Sequence, residues 1–171
     1  MTLKNDQYWM QQAIDIAKQA EIKNEVPVGA IIVKNNQQLC VGENKNISTS
    51  DPTAHAEIIA IRQTSLLLKN HRIPETTLYV TLEPCTMCFG AIIHARIQRV
   101  VFGAYDHRTG VLGSSINLPS TNIYNHTPEI SGGILENECA SLLKNFFYNK
   151  TYMLFHHELF HNNFVFVFHA S

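Results

Sequence analysis

The sequence predicts an α/β protein built on a single sheet with helices on both faces. Two observations carry that expectation. Short apolar runs of strand length alternate with longer segments whose apolar residues recur every three or four positions. The 171 residues also suit one domain around one core, with little room for a second. Apolar residues make up 45% and charged residues 16%, which excludes a disordered chain, and 13 Lys+Arg against 14 Asp+Glu exclude recognition of nucleic acid by bulk charge.

Taken in order, Tyr8 to Ala20 carries Trp9, Met10, Ala13, Ile14, Ala17 and Ala20 on one helical stripe, and Pro27 ends it. Val28 to Val33 is an apolar run bounded by Pro27 and by a polar stretch from Lys34 to Gln38; with Leu39 to Val41 it reads as a hairpin. Ser48 to Thr53 is a loop ending in helix N-cap candidates, and Ala54 to Leu68 follows with helical spacing. Thr77 to Leu82 is rich in strand formers, Pro84 can open a helix at its first turn, and Cys85 to Arg96 fits that helix. Arg99 to Ala104 is a further buried-strand run. A loop-rich section with Gly110, Gly113, Pro119 and Pro128 then leads to a final helix, from about Ile134 to Lys150, with Leu135, Cys139, Leu142, Leu143, Phe146 and Phe147 on its apolar stripe.

The N-terminus is polar and lacks the apolar core of a signal peptide, and no stretch approaches the ~20 apolar residues of a membrane span, so the expected location is the cytoplasm, without a membrane partner. Four cysteines (Cys40, Cys85, Cys88, Cys139) are too few for a disulfide scaffold. Cys85-x-x-Cys88 alone divides about evenly between a redox pair and a metal site. Cys40 and Cys139, on apolar stripes, read as small core residues.

His55-Ala56-Glu57 upstream tips the balance to metal. One imidazole and two thiolates make three ligands, one fewer than a closed structural zinc site needs, which is the arrangement of catalytic zinc with a water in the remaining position. Cysteines at a helix start feel the positive end of the macrodipole, which favours thiolate. Glu57, roughly 200° around a regular helix from His55, would not be a side-by-side ligand. If the helix start points end-on at the metal, however, its carboxylate can serve as a proton shuttle.

His55-Ala56-Glu57 with Pro84-Cys85-Thr86-Met87-Cys88 resembles the H-x-E…P-C-x-x-C signature of zinc nucleobase deaminases. The runs Glu25 to Ala30, Asp51 to Glu57, Leu78 to Cys85 and Arg99 to Ala104, together with Tyr8-Trp9-Met10, resemble the bacterial tRNA-specific adenosine deaminases from about Tyr8 to Phe147. That resemblance implies a three-layer α/β/α cytidine-deaminase-like fold, with a central mixed, mostly parallel five-stranded sheet and an antiparallel opening hairpin. It implies a homodimer with one zinc ion per subunit, acting on a tRNA anticodon stem-loop and converting the wobble adenosine at position 34 of an arginine tRNA to inosine. By match of position, His55, Cys85 and Cys88 would bind zinc and Glu57 would move protons. Asn44 would hydrogen-bond the flipped base, Val28 would lie against it, Asp106 would contact a ribose 2′-hydroxyl, and Phe147 would lie near the anticodon loop.

Read without the resemblance, Asn44 is a turn or strand-end residue, Asp106 is equally an N-cap of a short turn, and Phe147 shares its stripe with core residues. The functional alternatives are a deaminase of a free base or nucleotide of the cytosine or guanine type, and a non-catalytic zinc-binding or RNA-binding module. All five arginines fall between Arg62 and Arg108, a local excess that could form a phosphate-facing patch.

Residues 1–150 are expected to form the deaminase domain. Residues 151–171, with five of the nine Phe, four of the nine His and Glu158 as the only charged residue, form an atypical tail outside the resemblance. Its alternating Phe164 to Phe168 run has strand character.

Overall fold

The structure is a computed structural model that describes residues 5–121 and 123–165, with side chains up to Tyr152. The elements are α1 (Asp6–Ile22), β1 (Gly29–Lys34), β2 (Gln37–Glu43), α2 (Asn46–Thr49), α3 (Ala56–Leu68), β3 (Thr77–Leu82), α4 (Thr86–Ala95), β4 (Arg99–Ala104), β5 (Glu129–Ser131) and α5 (Glu136–Val165), with a 3₁₀ turn at Leu118–Thr121. Among the described residues, no helix is long and apolar enough to cross a membrane.

The five strands form one sheet in the order β2-β1-β3-β4-β5. β1 pairs antiparallel with both β2 and β3, while β3–β4 and β4–β5 are parallel. Four strands therefore run the same way and β1 alone is reversed, which is the expected mixed sheet opened by an antiparallel hairpin.

Alternation along the strands separates two cores. Ala30, Ile32, Leu78, Val80, Val100 and Phe102 face α3 and α4, where they pack with Ala56, Ala60, Phe89 and Ile92. Ile31, Val33, Tyr79 and Val101 face the other way, toward Trp9, Met10, Ala13 and Ile14 of α1 and Cys139 of α5. This gives the three expected layers. Each fully buried Phe, Ile or Met side chain stabilises the fold by ~1.5–3 kcal/mol relative to exposure.

Two glycines set how closely helices lie on the sheet. A Cβ on Gly42 of β2 would run into the backbone of α3 at the Ala56 carbonyl and lie 2.7 Å from Ala60 N. A Cβ on Gly29 of β1 would do the same to α1 at the Ala13 carbonyl, and lie 2.6 Å from Ala17 N. The Gly42 contact matters more for the site, because α3 begins there.

Several sequence expectations change. Part of the segment expected as loop before α3 is the single-turn helix α2, and the loop-rich section contains β5. Pro84 lies outside α4, whose N-cap is Cys85, so the proline fixes the approach to the helix instead of opening its first turn. The last helix does not end at Lys150 but continues unbroken to Val165; it takes in Phe164 and Val165 of the expected strand, while Phe166 to Phe168 lie outside the described residues. Three of the five arginines are held by local contacts. Arg99 pairs with Asp6, Arg62 reaches Asp51, and Arg96 donates to the Asn125 carbonyl, three contacts on different elements.

Candidate active site

The site lies where α3 and α4 begin. His55 is the N-cap of α3 and Cys85 the N-cap of α4, and neither makes a side-chain capping bond. Both are extended, with φ/ψ of −71°/154° and −81°/173°, which turns their side chains away from the helical ladders. Cys88 sits one turn into α4 and is fully buried. His55 Nδ1 is 3.8 Å from Cys85 Sγ and 3.5 Å from Cys88 Sγ, and the three ligand atoms lie within 4.8 Å of one another.

A cation explains this cluster. The Cys88 thiol, hydrogen-bonded to Cys85, holds the Cys85 thiol down at about 4, with His55 contributing in the same direction. The same Cys85 contact and burial push Cys88 up, and Cys85 raises the His55 imidazole. A divalent ion at this cluster would hold both sulfurs as thiolates. The donor set fits zinc: with usual zinc–nitrogen and zinc–sulfur bond lengths, a tetrahedral centre places N and S roughly 3.6 Å apart.

Glu57 occupies the first turn of α3 and is 4% exposed. Burial raises its pKa, so the carboxylate is readily protonated compared with a solvated one. His55 and Glu57 reach the same cavity because the helix meets it end-on, the arrangement the sequence reading required of a shuttle.

That cavity is about 330 Å³, and its lining includes Val28, Asn44, His55, Glu57, Cys85 and Asp106. No Lys or Arg lines it among the described residues. Asn44 Oδ1 accepts the Ala56 N–H at 2.8 Å, so a residue from the end of β2 caps α3 in place of the local candidates between Ser48 and Thr53. Because a backbone N–H must meet the amide oxygen, this cavity-lining residue keeps its Nδ2 group as a donor. Val28 adds a buried apolar wall. The Asp106 carboxylate accepts from Arg108 N at 2.9 Å, Thr109 N at 3.2 Å and Thr109 Oγ1 at 2.6 Å, so it caps a turn as well as lining the cavity. Phe147 does not join them. It is 53% exposed on α5, outside the cavity lining, while its neighbour Phe146 is buried.

Residues 3–104 match the cytidine and deoxycytidylate deaminase zinc-binding region. The chain belongs to that family. Within it, the chain is 48% identical over 144 residues to the tRNA-specific adenosine deaminase of Haemophilus influenzae, covering 83% of each. Among solved structures it is similar to one from work on A-to-I editing by tRNA:A34 deaminases at the wobble position of transfer RNA. That match has a TM-score of 0.77 and 39% identity, and covers 80% of this chain and 99% of the other. Guanine deaminase from Bacillus subtilis is less similar, with a TM-score of 0.57, 35% identity, and coverage of 60% and 66%. The zinc-binding family and the His/Cys/Cys cluster agree on zinc as the cofactor.

Two residues of the cavity lining were missed as functional in the sequence. Glu25 is 1% exposed and accepts Ile47 N at 3.1 Å and Ser48 N at 2.7 Å, which fixes α2. Glu83 is 2% exposed and binds the loop after β4. The available signal was an acidic residue next to proline or strand apolar residues, in Glu25-Val26-Pro27 and Leu82-Glu83-Pro84.

Proposed function

We propose that the protein is a tRNA adenosine deaminase that hydrolyses the wobble adenosine at position 34 of an anticodon loop to inosine, releasing ammonia. One observation carries this reading most strongly: the buried Glu57 shares a cavity with the His55/Cys85/Cys88 cluster. A purely structural metal site has no need of a proton carrier. The likeness to tRNA-specific adenosine deaminases over most of the chain supports adenosine in RNA over a free base such as guanine.

His55, Cys85 and Cys88 hold the zinc, one ion per chain, and when bound the metal supplies the Lewis acidity that activates water near neutral pH. Glu57 takes a proton from the attacking water at its carboxylate, delivers one to N1 of adenine, and then serves the departing amine at C6. Its raised pKa suits a group that must both accept and release a proton. Asn44 Nδ2 donates to the base, and Val28 packs against its face. Asp106 accepts from the ribose 2′-hydroxyl, the group that separates RNA from DNA. Phe147, on the surface of α5, contacts the anticodon loop.

An arginine tRNA is the expected substrate, the protein acts as a homodimer in the cytoplasm, and residues 1–150 suffice for the chemistry. The test incubates the zinc-replete protein and a Glu57→Ala variant with anticodon stem-loops carrying A or C at the wobble position, and scores inosine by mass spectrometry. Inosine from wild type on the A-containing RNA, reduced by about 10²–10⁴-fold in Glu57→Ala with zinc retained, is the expected result. No inosine from the zinc-loaded wild type overturns the assignment, and full activity in the variant removes Glu57 from its role.

A further inference from the structure

Glu83 lies two residues before Cys85, is buried, and faces away from the solvent in the wall of the cavity. Its carboxylate accepts three backbone N–H groups from one loop. Oε2 takes Asp106 N at 3.1 Å, and Oε1 takes Leu112 N at 2.8 Å and Ser114 N at 3.2 Å. The loop is joined to the same strand end by further backbone bonds: Glu83 N to the Ala104 carbonyl at 2.9 Å, and Val111 N to the Pro84 carbonyl at 3.1 Å. Cys85 and Gly110 also form a β-bridge. Gly110 lets the loop close this tightly, since a Cβ there would lie 2.5 Å from Glu83 Cδ and Oε2 and 2.6 Å from the Asp106 carbonyl. The loop in turn brings Asp106 and Thr109 to the cavity.

We propose that Glu83 is a positioning residue for substrate: its carboxylate holds the loop that presents Asp106 to the RNA, and ties that loop to the strand end leading into Cys85. This rests on the reading of the cavity as an RNA deaminase site. A buried acceptor with three converging N–H donors needs a full carboxylate, because both oxygens must accept. In Glu83→Gln, the amide oxygen can stay opposite Leu112 and Ser114, but its NH₂ then faces the Asp106 N–H, donor against donor. The variant loosens Asp106 selectively and leaves the two other bonds in place.

The experiment measures kcat and KM on the A34 anticodon stem-loop for wild type, Glu83→Gln, Asp106→Ala, the double variant and Gly110→Ala, with zinc content and amide hydrogen exchange for each. Glu83→Gln is expected to raise KM about tenfold, the scale of one lost hydrogen bond to a charged acceptor, with kcat and zinc content near wild type. Because Glu83 acts through Asp106, its effect on KM shrinks in the Asp106→Ala background. Faster exchange at the Asp106 amide, with Leu112 still protected, is the accompanying signature. Gly110→Ala presses on an unaltered Glu83 and reproduces the KM effect, so the inference stays testable if Glu83→Gln fails to fold. An active wild type with unchanged KM in both variants, or fully additive effects with Asp106→Ala, overturns this inference alone. An inactive zinc-loaded wild type overturns the reading of the site, and this inference with it.

Discussion

On one face of the sheet, α3 and α4 both begin at the cavity, and their caps and first turns supply His55, Glu57, Cys85 and Cys88. On the other face, α1 and α5 cover a second buried core around Trp9, Tyr79 and Val101, yet among the described residues neither helix lines the cavity. Burial is similar on both sides; what differs is where the helices start. A helix start offers unpaired N–H groups and a favourable potential for thiolate and carboxylate, so chemistry gathers where two such starts meet, at the end of the sheet.

Two buried thiols make the comparison direct. Cys88 belongs to the metal cluster, whereas Cys139 packs on the α1/α5 face, where burial pushes its thiol up to about 12. Cys88→Ser should abolish stoichiometric zinc and lower inosine formation by about a hundredfold or more, since even outer partners of zinc ligands are worth ~10–100-fold. Cys139→Ser should cost about 1–2 kcal/mol of stability for a poorly matched buried hydroxyl and leave zinc content unchanged. Metal analysis and thermal unfolding of the two variants check this, and equal zinc loss from both would break the distinction between the faces.

A smaller perturbation sharpens it. Gly42→Ala and Gly29→Ala introduce the same methyl group against the backbone of a facing helix, one under α3 and one under α1. Both should destabilise by about 1–3 kcal/mol through overpacking. Only Gly42→Ala displaces the turn that carries His55 and Glu57, so only that variant should release zinc faster to a chelator and lower kcat. If Gly29→Ala does so equally, the sheet transmits the strain and the faces are not independent.

The sequence made this division partly legible. Apolar runs of strand length and helical stripes located eight of the main elements, because each is long enough for its pattern to show, and the metal cluster was legible because its residues fall in two short motifs. α2 escaped because a single turn has no period; a carboxylate 22 residues away, Glu25, holds it by accepting Ile47 N. β5 escaped because three residues at a sheet edge take their conformation from pairing with Arg99 to Val101. The cap of α3 was sought between Ser48 and Thr53, yet Asn44 supplies it across a loop, and Glu83 gathers its three donors from 23 to 31 residues away. Such roles depend on tertiary approach, which local spacing does not encode. The boundary expected at Lys150 followed the end of the resemblance and the change in composition, neither of which reports where a helix stops; α5 continues to Val165.

The smallest effect is expected at the far end of the α1 face. The Asp6 carboxylate accepts two bonds from Arg99, at 2.8 Å each, and a third from the Tyr79 hydroxyl at 2.8 Å, pinning the start of α1 to β3 and β4. The Arg99 guanidinium holds the Asp6 pKa below its ordinary 3.8. The unfolded chain therefore takes up this proton at a higher pH than the folded one. The contribution is fully present above the ordinary value and fades as pH falls through the lower folded value. Side chains about a quarter to a third exposed, 25% for Arg99 and 30% for Asp6, keep it modest. Asp6→Asn should cost about 1 kcal/mol at neutral pH, and the gap from wild type should narrow as the solution is acidified below 3.8. Urea unfolding across pH measures that gap. Zinc content and kcat on the RNA should not move, because the pair sits on the face without chemistry; a loss of zinc in Asp6→Asn at neutral pH would show that anchoring α1 also shapes the cavity.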